Sequence, residues 1–163
     1  PVKITLVMVS SLDGVVSLQD GHSVGHGLLT KTKKDSERNK IADAIIVGRR
    51  SFRENFLKIT NAPIYVLTNN KTLLADKHND RVHYTDVTPR NLKKMLNAKK
   101  YTNVILLGGV TTNTEFLLRG LVDDLKLTVE PHLFGNKWHS HSALTFANFA
   151  YNIEQDDKRL YES

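Results

Sequence analysis

The segment that most constrains the fold is residues 104–117, in which a short apolar run passes through two glycines into an amphipathic stretch. The first four residues are apolar without alternation, which is typical of a strand that is buried on both faces. Thr112 and Glu115 have the spacing of a capping box, so we expect a helix to begin there and to end at Gly120. A strand, a turn without side chains and a helix N-terminus together suit a phosphate, although a tight turn alone would also require glycine.

Three further apolar runs lead directly into polar residues or glycine. Residues 4–9 precede Asp13-Gly14, residues 44–47 precede Gly48-Arg49-Arg50-Ser51, and residues 64–67 precede Thr68-Asn69-Asn70. Each of these segments can be a simple turn, and the two arginines can lie on a solvated helix face. In open α/β sheets, however, ligands bind at the carboxyl ends of strands. There Asp13 would accept hydrogen bonds, and the arginines would bind phosphate at a helix start.

Strand and helix patterns alternate along most of the chain. We expect a glycine-rich loop at 19–29, a helix at 30–41, strands at 82–84 and 125–129, and a helix from Thr88 and Pro89 to about Ala98. Alternating residues at 149–161 predict a final antiparallel hairpin. Together they predict one α/β domain over residues 1–163, a three-layer sandwich on a mixed, mostly parallel sheet.

The composition excludes several kinds of site and partner. The 163 residues include no cysteine, which excludes disulfides, thiolate metal sites and a cysteine nucleophile. We find no signal-peptide pattern and no membrane-length apolar run, so we expect a cytoplasmic protein without a membrane partner. The net charge of +6 is dispersed and lacks an aromatic RNA-binding signature, which favours an anionic small molecule over nucleic acid.

Two histidine pairs are the only candidates for a metal site. Glycines around His22 and His26 argue against the helix that would place them on one face. His139 and His141 have no evident third ligand, and a loop or a contact surface explains them. We therefore predict no metal.

The order and spacing of these motifs resemble the dihydrofolate reductase fold family, and within it the reductase domain of riboflavin biosynthesis proteins. The matching segments cover nearly the whole chain and are residues 9–14, 42–48, 106–109, 120–125 and 130–135. The resemblance implies a dihydrofolate reductase-like fold and an NADPH-dependent reductase, 5-amino-6-(5-phosphoribosylamino)uracil reductase. Such a reductase would act on a small heterocyclic or ribosylaminopyrimidine substrate. The family is commonly dimeric, and the aromatic surface around Trp138 and the final hairpin also suggests a homodimer.

The resemblance also assigns roles to individual residues. Asp13 and Glu130 would be catalytic, and Ser11, Asp13 and Arg38 would contact the substrate. The pyrophosphate of NADPH would lie at the glycine pair and the 2′-phosphate at one of the arginines. The implied cofactor-binding residues are Gly48, Arg49, Arg50, Ser51, Thr68, Asn69, Asn70, Gly108, Gly109, Val110, Thr111, Thr112 and Asn113.

The sequence departs from the family pattern around the substrate. Residues 36–39 stand where these reductases carry His and Arg, and residues 52–55 stand where they carry an Asp-Pro segment. Classical dihydrofolate reductase fits less well, because no Pro-x-Asp helix follows the first strand. A non-catalytic nucleotide-binding or regulatory domain on the same scaffold stays open as an alternative, and a nucleic-acid binder has only the charge in its favour.

Overall fold

The computed structural model describes residues 1–17, 41–53, 56–131, 133 and 144–145. The loop expected at 19–29, nearly all of the helix expected at 30–41 and the hairpin expected at 149–161 lie outside these ranges. The described strands are β1 Lys3–Ser11, β2 Val15–Ser17, β3 Ala44–Gly48, β4 Ile64–Leu67, β5 Val82–Thr85, β6 Asn103–Gly108, β7 Asp124–Glu130 and β8 Leu144–Thr145. The described helices are α1 Phe56–Ile59, α2 Lys71–Leu74, α3 Pro89–Ala98 and α4 Val110–Leu118.

Six of the strands form one sheet in the order β5-β4-β3-β6-β1-β7. Every pair of neighbours in this sheet is parallel, whereas β2 and β8 form a separate antiparallel pair. Parallel neighbours need long crossover connections, so a strand end is followed by chain that leaves the sheet. The six carboxyl ends therefore meet at one edge, which we call the carboxyl edge. The α/β prediction with a mostly parallel sheet is confirmed.

Apolar side chains cover both faces of the sheet. All five residues of β3 are buried, and its side chains alternate between two clusters, which explains why its sequence is continuously apolar. One cluster joins Ile46 and Leu106 to α3 and α4 through Leu92, Leu96 and Phe116. The other cluster joins Ile45, Val47, Ile64 and Val66 to partly buried Phe52 and Phe56. Helical segments thus pack on both faces, as in a three-layer sandwich.

Two helix ends lie where local chemistry predicts them. Thr88 caps α3 with its side-chain oxygen, and Pro89 occupies the first helical position, where its missing N–H has no cost. After α4, Gly120 has a φ of +60°, and the Leu121 N–H bonds to the Phe116 carbonyl at 3.0 Å. This arrangement is a Schellman motif, which needs a left-handed residue, so the predicted end at Gly120 is confirmed.

The start of α4 differs from the prediction. The helix begins immediately after Gly109, so Thr112 lies inside the first turn and the predicted capping box is wrong. Glu115 instead forms an ion pair with Arg119, one turn further on. The Gly109 N–H donates to the hydroxyl of Ser51 at 3.0 Å. The hydrogen bond at this helix end therefore comes from a distant segment, which overrides the local capping signal.

The helix start predicted at Gly48 is also wrong. The N–H groups of Ser51 and Phe52 both bond to the Gly48 carbonyl at 3.0 Å, but this turn does not continue, and α1 begins only at Phe56. Phe52 packs edge-to-face against Phe56 and Tyr84, with ring centroids 6.1 and 6.3 Å away. Phe52 is thus partly buried against one ring of α1 and one of β5.

Two aspartates bind backbone amides at the opposite edge of the sheet, the amino edge. Asp43 Oδ2 accepts the amides of Thr102 and Asn103 at 2.7 and 2.8 Å, and these bonds hold the pKa of Asp43 below its usual value. Asp123 Oδ2 accepts the Ile4 amide at 2.7 Å. These bonds join neighbouring strands far from the carboxyl edge. Among the described helices, none has the length and apolar character required to cross a membrane.

Candidate active site

The predicted site residues that the structure describes lie along the carboxyl edge in the order of the strands that carry them. From β4 towards β7, these strand ends are residues 68–70, 48–51, 108–113, 11–13 and Glu130. Neighbouring strands are roughly 4.8 Å apart, so adjacent strand ends are within contact distance. The structure therefore places the predicted cofactor residues on three adjacent strands and the predicted catalytic residues on the next two.

The ends of β3 and β6 meet in a close contact that we call the glycine junction, formed by residues 48–51 and 108–113. A Cβ added at Gly48 would lie 2.5 Å from Thr112 Oγ1, and one added at Gly109 would lie 2.6 Å from Ser51 Oγ. Gly108 has a φ of +89°, and its added Cβ would lie 2.6 Å from the side chain of Asn113. A side chain at any of the three positions would therefore displace a neighbour within the chain, whether or not a ligand binds, and at Gly108 it would also be strained by the positive φ.

The glycine junction places the N-terminus of α4 beside two cations. The first intrahelical bond runs from the Asn113 N–H to the Gly109 carbonyl, so the amides of residues 110–112 have no carbonyl partner within the helix. Arg49 and Arg50 are exposed on the adjacent turn. Unpaired amides, the helix dipole and two guanidinium groups together favour an anion. The residues present thus fit the phosphates of a nucleotide.

The end of β4 has a structural role of its own. Asn70 Oδ1 accepts the amides of Thr72 and Leu73 at 3.0 and 3.2 Å and caps α2. Thr68 is buried, and its Oγ1 accepts the Asn70 amide at 3.1 Å, while Asn69 is exposed. Helix capping explains Asn70 without a ligand, and a side-chain bond within the turn explains Thr68. Their contacts with a cofactor stay predictions.

The ends of β1 and β7 form what we call the carboxylate end, defined by Ser11, Asp13 and Glu130. Ser11 and Glu130 are partners in the strand register and are 1% and 7% exposed. Ser11 Oγ donates to Asp13 Oδ1 at 2.5 Å and accepts the Val15 amide at 2.8 Å. Gly14, with a φ of +83°, completes the turn by donating to the Ser11 carbonyl at 3.1 Å. Both predicted catalytic carboxylates therefore belong to one small region.

Two of these contacts were not predicted from the sequence. The Ser11 to Asp13 bond has a sequence signal, because serine and aspartate near a glycine commonly bond to each other and to the backbone of a turn. The Ser51 to Gly109 bond has none, because its partners are 58 residues apart. Only the assembled sheet shows that the two strand ends touch.

Some predicted site residues lie outside the described ranges. Arg38, both histidine pairs and Trp138 are among them, so their roles stay predictions. Within the part of the chain that the structure describes, no three acidic or histidine side chains form a group that could hold a metal ion.

Two clefts of about 190 and 150 Å³ lie away from the carboxyl-edge residues. Both are lined by Asn79, Val82 and Tyr84, near β5. None of the predicted catalytic or cofactor-binding residues lines either cleft. We therefore place the candidate site at the strand ends, where charged groups and helix amides converge.

Solved structures with the same fold include three with related names. A putative riboflavin biosynthesis protein from a Shewanella species is 22% identical, with a TM-score of 0.64, over 82% of this chain and 79% of that chain. The diaminohydroxyphosphoribosylaminopyrimidine deaminase/5-amino-6-(5-phosphoribosylamino)uracil reductase of Thermotoga maritima is 18% identical, with a TM-score of 0.62, over 83% of this chain and 46% of that one. The riboflavin biosynthesis reductase of Saccharomyces cerevisiae is 18% identical, with a TM-score of 0.55, over 87% and 78%.

The sequence itself identifies the family. No curated protein matched the chain. The family described as the RibD C-terminal domain matches residues 2–149, nearly the whole chain. The predicted resemblance to the reductase domain of riboflavin biosynthesis proteins is confirmed, and with it the dihydrofolate reductase-like fold. This chain belongs to the RibD C-terminal domain family.

Proposed function

We propose that this chain is a reductase that transfers a hydride from NADPH to 5-amino-6-(5-phosphoribosylamino)uracil or a closely similar heterocycle. Its family supports a pyrimidine reductase of the riboflavin pathway, and two of the similar structures carry the name of a reductase. The observation that carries the proposal is the division of the carboxyl edge. Phosphate-binding chemistry lies at the glycine junction, and carboxylates lie on the next two strands.

The glycine junction would hold the cofactor. NADPH supplies the hydride, and the protein supplies binding and orientation. The amides at the start of α4 would bind the pyrophosphate, and the planar guanidinium of Arg49 or Arg50 would bind the 2′-phosphate. Charge-assisted hydrogen bonds of this kind are short and directional, so they would fix the position of the nicotinamide along the edge.

The carboxylate end would hold the substrate. Carboxylate oxygens accept hydrogen bonds, and an aminouracil ring presents N–H donors, so Asp13 and Glu130 would orient the ring. Positioning the acceptor atom against the cofactor is itself a large part of catalysis. The acceptor also needs a proton after the hydride arrives, which a water molecule, or Asp13 or Glu130 in its protonated form, would supply.

The test is an assay of NADPH oxidation by the purified chain, with and without 5-amino-6-(5-phosphoribosylamino)uracil. We expect substrate-dependent loss of the reduced nicotinamide absorbance and a product that has gained two hydrogens. Dihydrofolate serves as a control acceptor and should not be reduced. Binding of NADPH without turnover of any acceptor would favour the alternative, a non-catalytic nucleotide-binding or regulatory domain. Absence of nucleotide binding would reject both functions.

We further propose that the chain forms a homodimer. The family resemblance supports this assembly, and so does the apolar surface of β7, where Leu125, Leu127 and Val129 are 47%, 38% and 50% exposed. Sedimentation velocity at micromolar concentration is the direct test. A single monomeric species at these concentrations would reject the dimer.

A further inference from the structure

The hydroxyl of Ser11 is buried, and its single proton is already used within the protein. Ser11 is the last residue of β1 and is only 1% exposed. Its oxygen accepts the Val15 amide at 2.8 Å, and its proton goes to Asp13 Oδ1 at 2.5 Å. A serine hydroxyl has one proton to donate. A substrate that took this proton would have to break the bond to Asp13.

We propose that Ser11 is a positioning residue for Asp13, and not the substrate contact that the sequence resemblance implies. The proposal rests on the proposed function only for its kinetic consequences. Asp13 itself lies in a turn whose neighbouring residue, Leu12, is 64% exposed. A charge-assisted bond from a buried hydroxyl stabilises the carboxylate rotamer that accepts it relative to the others.

The hydroxyl in turn is held by buried structure. Val15, whose amide fixes the Ser11 oxygen, is 0% exposed and begins β2. Ser11 is also the register partner of Glu130, so the residue that bonds to Asp13 lies beside the strand end that carries the second carboxylate. A continuous series of bonds runs from the β2 backbone through Ser11 to Asp13. Its effect would be to favour one orientation of the Asp13 carboxylate at the end of β1.

A double-mutant cycle separates positioning from a structural role. Ser11→Ala should lower kcat by roughly 10- to 100-fold, the range for loss of one hydrogen bond to a charged group, and should leave the KM for NADPH within about twofold. In an Asp13→Ala background the same change should have no further effect on kcat, because nothing is left to position. Multiplicative losses in the double variant would overturn the proposal. Ser10→Ala, which removes the neighbouring buried hydroxyl, is the matched control and should keep wild-type kinetics.

A second measurement does not depend on activity. Three-bond couplings in NMR report the side-chain rotamer of Asp13. We expect the same rotamer populations in the wild-type protein and in Ser10→Ala, and a clear shift of these populations in Ser11→Ala. If the Asp13 populations in Ser11→Ala equal those of the wild type, the proposal fails even where the enzyme is active. If the wild-type protein proves inactive while the populations shift as expected, the proposed function fails and the positioning role stands.

Discussion

The glycine junction and the carboxylate end occupy adjacent strands of one sheet but suit opposite charges. Among the described residues, the junction offers helix amides and two exposed arginines, and the carboxylate end offers Asp13 and Glu130. We therefore expect an elongated ligand with phosphates at one end and hydrogen-bond donors at the other to favour one direction along this edge. The difference suggests that the two opposite charges would orient a ligand along the edge before it makes any specific contact.

The largest expected effects come from the carboxylate end. Asp13→Ala and Glu130→Gln should each lower kcat/KM for the acceptor by about 10²–10³, a usual range for loss of a group that transfers a proton. The dissociation constant for NADPH, measured by fluorescence, should change less than about twofold. The control is Asp124→Asn, because Asp124 is at the other end of β7 and pairs with Lys3. Equal losses in acceptor and cofactor binding would contradict the division into two regions.

The glycine junction should give the opposite pattern. Arg49→Ala combined with Arg50→Ala should raise the KM for NADPH by roughly 10- to 100-fold, because charge-assisted bonds to the 2′-phosphate are lost. The KM for NADH, which lacks that phosphate, should hardly change. Arg90→Ala with Lys94→Ala removes two exposed cations from α3 and controls for net charge. An equal rise in the KM for NADPH and for NADH would contradict a role of Arg49 or Arg50 in binding the 2′-phosphate.

A third prediction separates packing from ligand approach within the junction. Gly109→Ala should lower the free energy of unfolding in urea by about 1–3 kcal/mol, because the new Cβ meets Ser51 Oγ at 2.6 Å. In a Ser51→Ala background the nearest Ser51 atom would be the Cβ at 3.8 Å, and most of this loss should disappear. Additive destabilisation would show that the clash lies elsewhere. The double variant, once folded, then reports what a side chain at residue 109 does to nucleotide binding.

The smallest expected effect lies at the amino edge. Asp43→Asn should lower the free energy of unfolding by about 1 kcal/mol at neutral pH, because the carboxylate that accepts two backbone amides loses its charge. The pKa of Asp43 is lowered in the folded state, so its contribution is present above the unfolded pKa and is lost as pH falls through the folded value. The difference in the free energy of unfolding between Asp43→Asn and the wild type should therefore become smaller below about pH 4. Steady-state kinetics should not change, and a changed KM would contradict the assignment of Asp43 to structure alone.

The sequence predicted correctly those elements whose bounds depend on interactions between residues that are close in the chain. Continuous apolar runs predicted the buried strands, and Thr88 with Pro89 predicted the start of α3. The order of strand ends also predicted which residues share the carboxyl edge. The wrong predictions, at Gly48 and at Thr112, both involve contacts across the glycine junction. There a tertiary hydrogen bond and a close approach of two strands outweigh local capping preferences, and no window of the sequence contains both partners.

The position of β1 has a consequence for the way the chain acquires this site. β3, β4 and β5 are consecutive strands that pair in chain order, so this part of the sheet needs only short loop closures. β1 instead pairs with β6 and β7, which come much later in the chain. The hydrogen bond from the Ile4 amide to Asp123 joins residues 119 positions apart. Such distant pairings form slowly, because the entropy of a long loop must be lost first. During synthesis, Ser11 and Asp13 would leave the ribosome long before the strand that ends in Glu130, so the carboxylate end would be completed last.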